Sequence, residues 1–222
     1  MNIKISNCSN YNATKGKDFN NNRVAQGWEL KEIDWKEKSI IKLSTQYGVS
    51  GNEYDKGERD GNHWVATQSI MLDFDKGSPT KEELLEMQQK WEFNSYVFSS
   101  QNHQKPKSSK SGKTEPPADR LRVLIPLSEP IKDEFDRKAV KQALVNHYEN
   151  VDKTFMGQTR YFAHGTTEVS SFTSGKGAMI WKELPNLYQQ NKRGRPSSAD
   201  LLKLTFNLDD TVLDKNNVAY EM

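Results

Sequence analysis

Asp73-Phe74-Asp75 ends the run Ser-Ile-Met-Leu-Asp-Phe-Asp over residues 69–75. Side chains alternate across a strand, so Ile70, Leu72 and Phe74 are expected on one face and Met71, Asp73 and Asp75 on the other. Two carboxylates roughly 6–7 Å apart by strand rise repel each other unless a cation lies between them. Mg²⁺ and Mn²⁺, hard ions that prefer carboxylate oxygen, fit that role. The plain alternative is a solvated strand end. An unpaired charge inside an otherwise apolar strand is costly, which weighs against it. Asp152 follows a predicted helix and Val151. Alone it reads as a turn residue, and it gains meaning only as a third carboxylate of a metal site.

Several groups suit phosphate. Ser100 and His103 follow a strand predicted over 95–99. Arg120 and Arg122 share one face of a strand predicted over 121–127, and Arg160 lies further on. A guanidinium holds phosphate through two parallel hydrogen bonds, although paired surface arginines are equally ordinary. Lys105, Lys107, Lys110 and Lys113 fall in a Pro- and Ser-rich loop over 104–118. Such a loop either follows a nucleic-acid backbone or simply solubilises the chain. Lys192, Arg193 and Arg195 form a second basic stretch.

The elements that must position these groups read as follows. Thr80 and Glu83 make a capping box that opens a helix carrying Leu84, Leu85, Met87 and Trp91. A second helix is predicted over 132–150, with Phe135, Ala139, Val140, Ala143, Leu144 and Tyr148 as its apolar side. A possible helix spans 32–47. Residues 8–23 and the Gly-rich 48–62 read as loops, and short strands are predicted over 159–163 and 178–181. Pro126 predicts that the strand at 121–127 ends there or lies at a sheet edge. This succession is α+β rather than doubly wound.

Composition sets wide bounds. The 222 residues are 34% apolar and 10% aromatic, with five Trp, and the mean hydropathy is −0.90. The aromatics argue for a folded core despite the polar average. A net charge of +2 does not by itself mark a nucleic-acid binder. One cysteine, Cys8, excludes an intrachain disulfide. No apolar run approaches the ~18 residues of a membrane span, so a soluble protein of the cytoplasm, with no membrane partner, is expected.

In order and spacing, Ile-Met-Leu-Asp73-Phe-Asp75-Lys-Gly, Ser100-Gln-Asn-His103, Arg120-Leu-Arg122-Val-Leu-Ile-Pro and Val-Asp152 resemble the archaeo-eukaryotic primase superfamily. The likeness is to the catalytic domains of phage and plasmid primase-polymerases and covers about residues 50–165. The second motif departs from the family's Ser-x-His, being Ser-x-x-His here.

The resemblance implies a small α/β module packed on a mixed sheet like an RNA-recognition motif, with the site in the cleft between. It implies Asp73, Asp75 and Asp152 as ligands of two divalent ions, Mg²⁺ or Mn²⁺. Ser100, His103, Arg120, Arg122 and Arg160 would contact nucleotide phosphates or template, and the loop lysines the nucleic acid. The implied activity is priming or polymerisation on a single-stranded DNA template from dNTP or NTP, in phage or plasmid replication in a prokaryotic host. A replicative helicase is the implied partner. Residues 1–190 would form the catalytic domain, and 191–222 a basic linker and tail.

Three other readings compete. A haloacid-dehalogenase-like phosphatase also ends a strand in Asp-x-Asp, and Asp209-Asp210 mimics its late acidic pair, but Ser78 and Pro79 stand where that family places Thr or Val. A rolling-circle nuclease needs a His-hydrophobic-His pair that His63, His103, His147 and His164 do not form. A non-catalytic single-strand-binding module would use the basic loop with Tyr161 and Phe162.

Overall fold

The computed structural model describes residues 1–11, 25–108, 114–148, 150–182 and 184. The segment 191–222, with Asp209 and Asp210, and Lys110 and Lys113 lie outside them. The strands are β1 (Asn2–Cys8), β2 (Trp28–Asp34), β3 (Gly48–Ser50), β4 (Asn52–Tyr54), β5 (Trp64–Phe74), β6 (Tyr96–Ser100), β7 (Lys107–Ser108), β8 (Thr114–Glu115), β9 (Leu121–Ile131) and β10 (Gly165–Phe172). The helices are α1 (Glu37–Gln46), α2 (Lys81–Lys90) and α3 (Glu134–His147).

β5 is long because its apolar residues serve both faces: Ile70, Met71, Leu72 and Phe74 are all buried. It is paired with β9 from Thr67 to Phe74, and the five-stranded sheet has the order β10-β6-β9-β5-β4. All strand pairs in it are antiparallel. The expected mixed sheet is therefore corrected: the parallel link among the described residues is a single bridge between Leu127 and Met179. Two β-α-β units interleave in this sheet. β5-α2-β6 encloses β9, and β9-α3-β10 encloses β6, the split arrangement of a β-α-β-β-α-β succession.

Pro126 does not end β9 or place it at an edge, contrary to expectation. The strand runs on to Ile131, and Pro126 stands opposite Ser69 where the β5 register shifts. β6 pairs only as far as Leu124, so the missing N–H of Pro126 breaks no ladder bond on that side. The helix expected over 32–47 begins only at Glu37, because Glu32 to Asp34 complete β2 against β1. Residues 48–62 are not all loop: they hold β3 and β4. The stretches 159–163 and 178–181 contribute single bridges at Phe162 and Met179 rather than strands. Phe135, assigned to the apolar side of α3, is 69% exposed.

Thr80 caps α2 with the full capping box; its hydroxyl accepts from the Glu83 N–H, and the Glu83 carboxylate accepts from the Thr80 N–H. Leu84 of α2 and Val140, Ala143 and Leu144 of α3 enter one core with β5 and β9. On the opposite face, β2-β1-β3 forms a small antiparallel sheet, and Ile3, Ile5, Trp35, Ile40 and Val49 join the same core. The site lies on this second face of the large sheet. Among the described residues, no helix is long and apolar enough to cross a membrane.

Burial holds His147 well below the usual histidine range, at about 4, while the unfolded chain titrates near 6.5. Stability tied to this neutral ring is present above pH 6.5 and lost as pH falls toward 4. The loss is at most about 3 kcal/mol, and the partial exposure of the residue lowers it. His147→Gln should therefore lose less stability than the parent between pH 7 and pH 4.5, as read from urea midpoints. Equal losses would show that the ring is solvated.

Candidate active site

Asp73 is the next-to-last residue of β5 and is buried. Its register partner on β9 is Arg122, so the two side chains share a face. The Arg122 Nε donates to Asp73 Oδ1 at 3.2 Å, and its Nη1 donates to the Ala163 carbonyl at 2.6 Å. The Phe162 ring lies 5.3 Å from the same guanidinium. Arg122 is thus fixed on two sides, and it holds Asp73 from one.

Asp152 reaches this point from the turn after α3. Its N–H donates to the Asp73 carbonyl at 2.8 Å, which ties the two acidic residues together through the backbone. Arg160 completes the group: its Nη2 donates to Asp73 Oδ2 at 2.8 Å and to Asp152 Oδ2 at 2.9 Å. The segment that carries Arg160 is pinned by the small polar strands. Asn52 Nδ2 donates to the Gly157 and Gln158 carbonyls at 3.0 Å, and Ser50 Oγ donates to the Arg160 carbonyl at 2.7 Å. Phe162 then pairs with Val49 of β3. Gly51, between β3 and β4, permits the close approach of this segment to β5, since a Cβ there would meet the Ser69 carbonyl oxygen at 2.0 Å.

Asp75 stands apart. It lies just beyond β5 and accepts from Lys107 Nζ at 2.6 Å. Lys107 belongs to the β7–β8 hairpin, so part of the expected basic loop is structured and latched to an acid. Each of the three carboxylates therefore has its own cation. The expected ligand triad is not gathered: among the described residues, the group whose donor atoms all lie within 4.8 Å is Glu58, Asp60 and His63. There Asp60 is already engaged by the His63 ring at 2.9 Å and by the N–H groups of Asn62 and His63.

Two expected phosphate contacts are turned inward. Arg120 is 1% exposed. Its Nη1 donates to the carbonyls of Asn102 (2.8 Å) and Lys105 (2.7 Å), and its Nη2 to that of Pro116 (3.2 Å). His103 is buried, and its Nδ1 accepts from the Arg120 N–H at 3.2 Å. The proton of the neutral ring therefore sits on Nε2, 3.8 Å from Asp119. Ser100 closes the same turn, accepting at its carbonyl from the His103 N–H. Lys105 Nζ donates to the Gln101 carbonyl at the exposed surface.

The sequence reading missed Tyr11 and His164. The Tyr11 hydroxyl is 2.5 Å from His164 Nδ1 and also accepts from the His164 N–H at 3.1 Å. Burial and the nearby Arg122 hold the His164 ring below the usual histidine range. No local signal joins two residues so far apart in the chain; each reads as an isolated loop residue. Asp119 was missed too, and it caps α2 by accepting from the Lys81 N–H at 2.8 Å.

No family model matches this sequence, and no curated protein matches it. A solved structure that it resembles is the AEP domain of the primase-polymerase of cyanophage S-2L, at 8% identity and a TM-score of 0.43, covering 83% of this chain and 88% of that one. A likeness at that level decides nothing about chemistry.

Asp73 and Asp152 supply the hard oxygen donors that Mg²⁺ or Mn²⁺ requires, and both reach one point. That point is held by a guanidinium nitrogen. The pair fits a cation; Asp75 would join it only on leaving Lys107.

Proposed function

We propose that this chain is a nucleotidyltransferase that extends or initiates strands on single-stranded DNA from dNTP or NTP. The observation that carries the reading is the convergence of Asp73 and Asp152, from separate elements, on one cationic position flanked by Arg122. The motif order adds to it, as does the β5-α2-β6-β9-α3-β10 succession expected of a module like an RNA-recognition motif. The motif resemblance also supplies the setting, replication of a phage or plasmid with a helicase as partner.

Asp73 and Asp152, joined by Asp75, would hold the divalent ions, which would lower the pKa of an attacking hydroxyl and neutralise triphosphate charge. Arg122 keeps Asp73 oriented through the Ala163 carbonyl. Arg160 and Lys107, 29% and 35% exposed, are the cations open to an incoming phosphate. Arg120, His103 and Ser100 belong to the support of the loop. With positioned charges around the reacting phosphate, catalysis here is mainly electrostatic.

The pairing of every carboxylate with a cation favours a second reading, a single-strand-binding module without catalysis. A gel assay of incorporation on single-stranded DNA, with and without primer, in Mg²⁺ or Mn²⁺, separates the two. Metal-dependent products support the transferase, and products without primer make it a primase. DNA binding with no product under any condition replaces it with the binding module.

A further inference from the structure

The arginine between the two acids differs from its neighbour in how it is held. Arg122 is buried, donates to a backbone carbonyl and engages Asp73 through Nε. Arg160 reaches the acids with Nη2 alone. Its Nε is buried and has no hydrogen-bond partner among the described residues. Its backbone is fixed: the N–H donates to the Gly157 carbonyl, and the carbonyl accepts from Ser50. With the backbone fixed, any release of the two acids falls to the side chain, which rests on the Phe162 ring at 5.0 Å.

Charge counting adds to this. Asp73, Asp75 and Asp152 face Arg122, Lys107 and Arg160, so the site as a whole is neutral. A free divalent ion would enter with no net attraction, against a guanidinium already bonded to the same two oxygens. A polyphosphate changes both terms. It brings negative charge, and it offers a guanidinium two parallel acceptors in exchange for the carboxylates.

We propose that Arg160 is a built-in counter-cation that keeps free divalent ions off Asp73 and Asp152, and that the site takes a metal only with a polyphosphate whose oxygens draw the guanidinium away. The proposal rests on the reading of this pair as a cation site, but not on strand synthesis. Removing the guanidinium would open the position to the bare ion, and by linkage polyphosphate and metal strengthen each other's binding.

Calorimetric titration of the full chain with Mn²⁺ alone tests this. R160Q is expected to bind Mn²⁺ at least tenfold more tightly than the parent, and adding Asp152→Asn to R160Q should abolish that gain. Equal Mn²⁺ affinity in parent and R160Q, or no binding by either, overturns the proposal. A second measurement needs no folded R160Q: the NMR signal of the Arg160 guanidinium, assigned through Arg160→Lys. It should stay in place with Mg²⁺ and move with Mg²⁺ plus inorganic tripolyphosphate. Movement with Mg²⁺ alone, or none with both, overturns it. A tenfold gain in a protein that incorporates no nucleotide would sink the transferase reading and leave the counter-cation standing; incorporation without the gain would do the reverse.

Discussion

Asp73→Ala is expected to lower folding stability by about 3–5 kcal/mol, the cost of leaving a buried charge without its partner. Asp73 and Arg122 are both buried, at 2% and 9% exposure, and without the carboxylate the Arg122 guanidinium keeps only the Ala163 carbonyl and the Phe162 ring as partners. Asp152→Asn should differ. Asp152 is 28% exposed, so its pairing with Arg160 is partly screened, and its loss should cost no more than about 1 kcal/mol. If the transferase reading holds, Asp152→Asn should still cut incorporation by about 10²–10³-fold, the usual effect of removing one positioned charge beside the reacting centre. Urea midpoints and incorporation rates for the two variants check both statements. Asp73→Ala with parental stability would show that water reaches Arg122. Parental incorporation by Asp152→Asn would remove Asp152 from the site.

Arg120→Ala should be nearly as damaging, and for a reason unrelated to substrate. Its guanidinium gathers three carbonyls from both ends of the 101–119 excursion. Hydrogen bonds from a charged donor are worth about 1.5–3 kcal/mol each, less when lost together. A net loss of about 3 kcal/mol or more is expected, with faster tryptic cleavage after Lys107. Arg120→Lys should not restore stability, since one ammonium cannot span the three acceptors that a planar fork reaches. Parental stability with weakened nucleotide binding would instead return Arg120 to phosphate contact.

Much of the scaffold was legible because its signals are local. The apolar run of β5 and the capping box at Thr80 and Glu83 each state their structure within a few residues. β10 could not be read in this way. Of Gly165 to Phe172, only Gly165 and Val169 are buried, and the register shifts between Thr166 and Ser170, so no alternation survives. β3 and β4 hide differently: their buried positions are Gly48, Val49, Ser50, Asn52 and Tyr54, and Gly48, Ser50 and Asn52 are residue types that resemble loop. At the site, the sequence singled out Asp73 and Asp152, which the fold brings together, but not the groups that its cations meet. Charge type is visible in a sequence, whereas the acceptor that a guanidinium will find is not. Arg120 found backbone and Arg160 found two acids.

The interleaving of β5-α2-β6 with β9-α3-β10 bears on how the chain acquires its shape. Neither unit can close its ladder alone, because β9 separates β5 from β6 and β6 separates β9 from β10. During synthesis the first 120 residues can form α2 but not the sheet that α2 covers. Pairings between distant segments form late and slowly, and a partly emerged chain keeps its apolar strands exposed meanwhile. Assembly is then all-or-none: the acids meet only after β9 has entered between β5 and β6, and truncation within β9 should yield aggregate rather than a smaller folded protein.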